Sequence, residues 1–549
     1  MAENTDQGNK AVASPAKKKG MSFGLSAFIV GLGSIIVKLS GLIRDVILGK
    51  RFCDEAGVFR AAYSLAFTIP DLFFNLLIGG AIFSTVAPYL SAQLAVGKEK
   101  KGVRTISIFV SVVSVGMLII CALGTVFSEP IYNLYALGKE DINPEVLQLA
   151  AKASKFLFPQ IFFIMLAALC NGILISYRKF TITSFGPLIY NILVIAAIWF
   201  FGGNSRSNLV MTTAGILVAT AIYFICQYSF GFKHLKQFRF IFQPSDKEFL
   251  MLFRRAIPIL ISASIIQINT VVLYRFALQF GELHVWGYRN ASTIWQIPYT
   301  VFVVAITTVM TPELAGDFKS KMFSKASELV SRSLKSALFM TIPSAAIMAV
   351  LSVDVVKAIY QWPSSNYTDD NARYAATFLV GFCIAVVSAT VVHVFNQAFY
   401  AIGKTKIPLI AGLISLVMTP VSCQILVTLG AGPVSLSLAY SFASICQMIM
   451  LVIAYCRNRE LAPRGILKFL IKSAVCVSVT AAVVYVFNMF VPAQGGKLMQ
   501  LGIIAVKGIA AFVIFFAMAV ILRMEEATFW INRFKSKIFK KKAAAKTAT

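Results

Sequence analysis

Residues 38–88 read KLSGLIRDVILGKRFCDEAGVFRAAYSLAFTIPDLFFNLLIGGAIFSTVAP. The first part continues an apolar run that begins near Ser26, yet it contains Lys38, Arg44 and Asp45. A cation at the centre of a bilayer costs at least ~2.5–3.5 kcal/mol, so such residues usually face a polar interior and mark a substrate path. At 100° per residue, Lys38, Gly41 and Asp45 share one helix face, and Arg44 lies about 120° from Lys38. The spacing predicts a helix with one small, polar side and an otherwise apolar surface. Arg44 and Asp45 have an alternative place in the headgroup layer beside Lys50 and Arg51. Lys38 lies deeper in the run, where its stem snorkels out less easily.

Working outward, the composition agrees. Of 549 residues, 58% are hydrophobic and 13% charged, with a mean hydropathy of +0.77. Soluble domains carry about 25% charged residues. The many apolar runs of about twenty residues suit helices rather than the shorter, alternating strands of a barrel. The expectation is an all-α integral membrane protein with about 14 transmembrane helices. They fall at 26–49, 59–93, 105–127, 153–176, 183–202, 209–231, 255–279, 286–312, 333–353, 372–402, 407–429, 433–456, 466–490 and 498–522. The second and tenth are longer than a bilayer requires.

The formal charge of +28 does not point to nucleic acid. If the N-terminus is cytoplasmic, the basic residues fall in alternate loops, as the positive-inside rule demands. Those loops hold Lys98, Lys100 and Lys101, then Arg178 and Lys179, then Lys233, Lys236 and Arg239, then Lys319 and Lys321, then Lys404 and Lys406, then Arg457 and Arg459. The loop after the third span is acidic instead, with Glu129, Glu140, Asp141 and Glu145. Both termini are expected in the cytoplasm, with the protein multi-pass in the bacterial inner membrane. Residues 1–25 form a basic tail; the apolar run behind Lys17, Lys18 and Lys19 is too long and too charged for a cleaved signal. Residues 523–549 mix aromatic and basic side chains, which suits an anionic leaflet or a solvated tail.

Nine cysteines are scattered without metal-ligand spacing and read as small buried hydrophobes. There is no nucleotide loop, no H-E-x-x-H, no G-x-S-x-G and no pair of carboxylates at catalytic spacing. These absences argue against an ATPase, a metalloprotease or another enzyme, and no cofactor or metal is implied.

Two pairs of segments look alike. Residues 175–194 (ISYRKFTITSFGPLIYNILV) match 398–415 (AFYAIGKTKIPLIAGLIS) in a tyrosine, a basic turn and a Pro-Leu-Ile. Ile69-Pro70 with Pro88 matches Ile297-Pro298 with Pro312. Both pairs are six spans apart, which predicts two six-helix lobes related by an axis along the membrane normal, plus two C-terminal helices. The expected division is an N-terminal lobe at 26–231, a linker at 232–254, a C-terminal lobe at 255–456 and two further helices at 457–522. Such folds place a cavity between lobes that rock for alternating access. Bends are expected at Pro70, Pro187, Pro258, Pro298, Pro408 and Pro420.

Arg60, Arg275 and Arg289 join Lys38 and Arg44 as candidates to line a basic chamber; interfacial snorkelling is the alternative for those three. Such a chamber suits an anion with apolar parts, such as a pyrophosphate-linked lipid, because arginine offers a fork to phosphate oxygens. Asp45 and Asp71 are the carboxylates inside spans, and Asp45 reads most simply as a neutralising partner for Arg44 or Lys38. His393, deep in the tenth span, reads as a hydrogen-bonded packing residue rather than a relay.

Several stretches carry a resemblance. They are SGLIRDVILGKRF (40–52), IPDLFFNLLIGGAIFSTVAPYL (69–90), ILISYRKFTITSFGPLIYNI (173–192), IPYTVFVVAITTVMTPEL (297–314) and FYAIGKTKIPLI (399–410). Together they resemble the bacterial lipid II flippase family (MurJ or MviN type) of the multidrug, oligosaccharidyl-lipid and polysaccharide exporter superfamily. The resemblance covers roughly residues 26–490. It implies two lobes, a cationic cavity in the first, and export of the undecaprenyl-pyrophosphate-linked peptidoglycan precursor. Implied partners are that lipid-linked glycan, the membrane lipids and cell-wall synthesis proteins. Arg44 and Asp45 match the family's Arg-Asp pair, and Lys38 stands where the family usually has arginine. Asp71, Phe74 and Gly79 stand where the family has asparagine, arginine and glutamate. The arginine of its eighth helix aligns with Thr293, or with Arg289 after a small shift. These departures keep two alternatives open, another polyprenyl-linked saccharide as cargo and a homologue serving as a non-transporting scaffold. A separate transporter reading, a drug/cation antiporter of the same superfamily, would need cavity acids, and the basic bias argues against it.

Overall fold

The structure, a computed structural model, describes residues 23–76, 86–136, 143–177, 179–362, 367–492 and 495–528. Most of the basic N-terminal tail, Gly79, and the basic segment beyond residue 528 lie outside the described residues. The first half runs α1 (Phe23–Arg51), α2 (Val58–Phe74), α3 (Ala87–Ala95), α4 (Glu99–Val126), α5 (Ser128–Ala136), α6 (Pro144–Ser176), α7 (Phe180–Phe201) and α8 (Arg206–Leu235). The second runs α9 (Lys247–Leu278), α10 (Glu282–Pro298), a π-helical segment (Tyr299–Val304), α11 (Ala305–Lys319), α12 (Phe323–Val350), α13 (Ser352–Tyr360), α14 (Asp369–Ala401), α15 (Lys406–Thr428) and α16 (Ser435–Cys456). Then come α17 (Ile466–Phe490) and α18 (Lys497–Ile521). No strand occurs among the described residues.

Helices dominate because a backbone in hydrocarbon must satisfy its own hydrogen bonds. Among the described residues, eleven helical segments are long and apolar enough to cross a membrane, and each coincides with an expected span. The other three expected spans fall on α1, on α2 and α3 with residues 77–85 between them, and on α9. Length and apolarity alone therefore do not establish the number fourteen. Side-chain caps start several helices. Asn143 accepts from the Glu145 N–H, Asp246 from those of Glu248 and Phe249, and Thr368 from that of Asn371.

Helices α1, α2, α4, α6, α7 and α8 pack chiefly on one another, as do α9, α10, α12, α14, α15 and α16; α17 and α18 lie against α12 and α13. Between membrane helices the driving force is close packing and hydrogen bonding. The α14–α16 seam illustrates it. A Cβ on Gly381 would overlap Ser437, Ser441 Oγ donates to the Gly381 carbonyl at 2.7 Å, and Ser388 donates to Ser444 at 2.8 Å.

The internal repeat has a backbone counterpart. After Pro298 the chain turns π-helical, and after Pro70 it does so at residues 75–76. A proline removes one N–H and disturbs the ladder, so a wider turn is a natural response. Pro187, Pro258 and Pro420 stay within continuous α-helix, and Pro408 sits in the first turn of α15. The short helices α5 and α13 follow α4 and α12, one in each half, and neither is signalled by a long apolar run.

Candidate functional site

A cavity of about 500 Å³ lies between the halves. From the first half α1 contributes Lys38, Gly41, Arg44 and Asp45, and α2 contributes Ser64, Thr68 and Asp71. The second half contributes Gln267, Thr270 and Tyr274 of α9, a face of α10 that includes Arg289 and Thr293, and one aromatic ring each from α14 and α16.

The charges cluster. Arg44 Nε and Nη2 both donate to Asp45 Oδ1, at 3.1 and 3.0 Å. Arg289 Nη2, from the opposite half, stands 3.7 Å from the same oxygen. Asp45 is almost fully buried, so without those cations its charge would be costly. The Arg289 guanidinium also lies over the rings of Tyr63 and Trp286, 5.5 and 5.8 Å from their centres. Its buried Nε has no hydrogen-bond partner, and Lys38 makes no ion pair among the described residues. Lys38 therefore offers the cavity a cation that no carboxylate among the described residues neutralises. Its lining holds three cations, Lys38, Arg44 and Arg289, against two carboxylates, Asp45 and Asp71, a formal excess of one positive charge. Asn191 of α7 fixes α1 beside it, donating to Ser40 Oγ at 2.7 Å and to the Val37 carbonyl at 3.2 Å.

Four of the six residues singled out in the sequence thus meet: Lys38, Arg44, Asp45 and Arg289. Arg60 and Arg275 are not among the lining residues. Arg60 shares a face with Ser64 but lies one turn further out, where its Nη2 donates to the Asp54 carbonyl at 2.8 Å. Arg275 follows Tyr274, which does line the cavity, so it points about 100° away around α9. Of the two positions open for the eighth-helix arginine, Arg289 carries the charge into the cavity. Thr293 sits one turn on along the same face and donates to the Arg289 carbonyl at 3.1 Å. The stripe Gln267, Thr270 and Tyr274 was missed. Its i, i+3, i+7 spacing was the available signal.

A family model described as "MurJ: Lipid II flippase MurJ" matches residues 55–506. The chain belongs to the lipid II flippase MurJ family. The family match begins just after α1, so it covers α2 and α10 but not the Arg44–Asp45 pair. Relatives called "Probable lipid II flippase MurJ" include those of Buchnera aphidicola subsp. Acyrthosiphon pisum (strain APS), Rhizobium tropici and Vibrio cholerae serotype O1 (strain ATCC 39315 / El Tor Inaba N16961). The Buchnera protein is 25% identical over 71% of this chain and 75% of its own length. The Rhizobium protein is 26% identical over 69% and 71%, and the Vibrio protein 24% over 78% and 81%. Among solved structures, "Lipid II flippase MurJ, inward closed conformation" superposes with a TM-score of 0.72 at 22% identity, covering 90% of this chain and 99% of that one. An inward-facing multidrug resistance MATE family transporter of the MOP superfamily gives 0.62 at 16% identity, over 77% and 97%. These two likenesses show a shared fold. A MurJ-family member is a multi-pass membrane transporter, and the helices here fit that description.

Proposed function

We propose that this chain flips a polyprenyl-pyrophosphate-linked glycan, lipid II, across the inner membrane by alternating access between two lobes. The lobes are residues 26–231 and 255–456, joined by the linker 232–254, with 457–522 as two added helices. The observation that carries the reading is the Arg44–Asp45–Arg289 cluster, which draws one charge from each side of the cavity onto a shared carboxylate. A pyrophosphate entering the cavity competes with Asp45 for both arginines and recruits Lys38. The arginine forks provide directed, charge-assisted hydrogen bonds, and Lys38 adds a point charge. Binding thereby loosens a contact between lobes, and that coupling is what a transporter requires.

The basic loops at one end of the bundle support cytoplasmic termini. Membrane lipids surround the chain, and cell-wall synthesis proteins that consume the exported precursor are its expected neighbours. The polar, open space between the lobes weighs against a scaffold that no longer transports, and its positive excess weighs against a cation antiporter. Phe74, which stands where the family resemblance places an arginine, favours another lipid-linked glycan as the second reading.

Complementation tests this. The chain is expressed in a bacterium depleted of its own lipid II flippase, beside Arg44→Ala and Lys38→Ala. Rescue by the wild type and failure of well-expressed variants is the expected result. A wild type that inserts abundantly without rescuing growth rules out lipid II as cargo.

A further inference from the structure

The second half holds a polar site apart from the cavity. His393, eight residues before the end of α14, is engaged at both ring nitrogens. Tyr299 Oη lies 2.8 Å from Nδ1, and Thr307 Oγ1 lies 3.1 Å from Nε2. The Thr307 hydroxyl hydrogen is committed to the carbonyls of Val303 and Val304, at 2.9 and 3.2 Å. Its oxygen therefore accepts, Nε2 bears the ring hydrogen, and Nδ1 accepts from the Tyr299 hydroxyl. That hydroxyl makes no other hydrogen bond among the described residues. Nδ1 is thus the one position that can take a proton, and rotation of a single hydroxyl accommodates it, since Nδ1–H then donates to the Tyr299 oxygen.

No ion pair reaches the ring among the described residues. Around it, α11 offers Thr307, and α12 offers Thr341, bonded at 3.2 Å to Thr390 one turn away on α14. Helix α16 brings Tyr440, Cys446 and Tyr455 but no charged side chain, and α15 brings only Cys423 beyond Lys406. Of the remaining neighbours, α10 carries Glu282, His284 and Arg289 ten to seventeen residues before Tyr299, and Lys335 stands near the middle of α12. Glu313 and Asp317 follow Thr311 on α11, Lys335 of α12 is 3.9 Å from Glu525, and Lys357 of α13 pairs with Asp369 at the start of α14.

Position gives the site its use. Tyr299 is the first residue of the π-helical segment and lies one turn beyond Trp295 and Gln296, which line the central cavity. Its ring centre is 5.9 Å from that of Trp295. Trp295 and Tyr299 thus stand in line between the cavity and Nδ1. The same helical rod carries Arg289 ten residues earlier, about 15 Å along its axis, where it meets Asp45. A π turn inside an α-helix is rare and recurs at functional sites.

We propose that His393 is the binding site of a coupling proton. A proton from cavity water binds Nδ1 while the cavity is open to one side and leaves it while open to the other. One proton is taken up and one released at His393 per cycle. Reversal of the Tyr299 hydrogen bond acts on the π-helical joint and so on the rod that holds Arg289. This deepens the proposed flippase function and rests on it.

The test uses the full chain in vesicles containing lipid II, at fixed membrane potential, with an imposed pH gradient. Wild-type flipping should respond by up to about tenfold per pH unit, the limit for one coupled proton. His393→Gln keeps a donor and an acceptor but cannot take the charge, so flipping should persist while the gradient response disappears. Tyr299→Phe removes the hydroxyl and should displace the pH of half-maximal response. A His393→Gln protein that still responds, or a wild type that flips indifferently to the gradient, overturns the proton site and leaves the flippase reading standing. A wild type that flips nothing overturns both. Should His393→Gln fail to fold, an unchanged response in Tyr299→Phe overturns the site.

Discussion

Asp45 accepts two hydrogen bonds from Arg44 on its own helix and faces Arg289 across the cavity. At the residue scale this makes the carboxylate a strut, and the two arginines both strut and grip. Asp45→Asn leaves the arginines facing each other without compensation. The cost should be about 3 kcal/mol, the low end for a broken buried pair because both arginines keep some exposure. The expected outcome is a lowered melting temperature in detergent together with slower flipping; a protein that melts like the wild type refutes the strut. Arg44→Ala should keep the fold and weaken lipid-pyrophosphate binding by about 10–100-fold, the worth of a charge-assisted hydrogen bond. Arg289→Lys should fall between, keeping charge and losing the fork. Both are read by titrating the purified protein with the lipid. Lys38, Arg44 and Asp45 were legible in the sequence because ionised residues in hydrocarbon are rare enough to stand out. The choice among Arg60, Arg275 and Arg289 was not, because each sits in an apolar run and only the neighbours decide. Arg60 meets a loop carbonyl, whereas Arg289 meets a carboxylate.

At the scale of elements, apolar length located the spans but was silent where irregularity matters. The repeat of Ile-Pro in α2 and α10 marked matching places, and the π-helical turns after both were written only as prolines, which α7 and α15 also carry without such a turn. Short α5 and α13 escaped because an amphipathic helix of two turns has no signature beyond ordinary loop composition. The α14–α16 seam gives a direct test of close approach. Gly381→Val should cost about 1–3 kcal/mol by overpacking against Ser437. Ser437→Gly should recover part of that loss in the double variant. Thermal denaturation of the single and double variants measures both.

Across the whole molecule, the two halves are pinned at both ends of α9. At its start Glu248 accepts from Lys101 at 2.6 Å and from Tyr89 at 3.2 Å; further along, Tyr135 of α5 donates to the Val271 carbonyl at 2.8 Å. Beyond α9, Asn143 donates to Glu282 at 2.8 Å. Alternating access requires the Asn143–Glu282 contact to part in each cycle. Cysteines at these two positions, joined by a short cleavable thiol bridge in a chain whose Cys53 is replaced by serine, should stop flipping. Cleavage of the bridge should restore it, and flipping that continues in the bridged protein means this contact never opens.

The polar face of α1 has a further consequence, for how the chain is made. Lys38, Arg44 and Asp45 render α1 a poor candidate for spontaneous partition into lipid, since each ionised residue near a helix centre adds about 2.5–3.5 kcal/mol to insertion. The group that holds its polar side, Asn191 on α7, is synthesised 191 − 51 = 140 residues after the end of α1. At bacterial elongation speeds that is a delay of roughly 7–30 s. During that interval α1 has no built partner and must be retained by the insertion machinery rather than released. A single cysteine placed at Ile43, on the outward apolar side of α1, should therefore react with a water-soluble thiol reagent in a chain truncated before α7 and be shielded from it in one continued through α8.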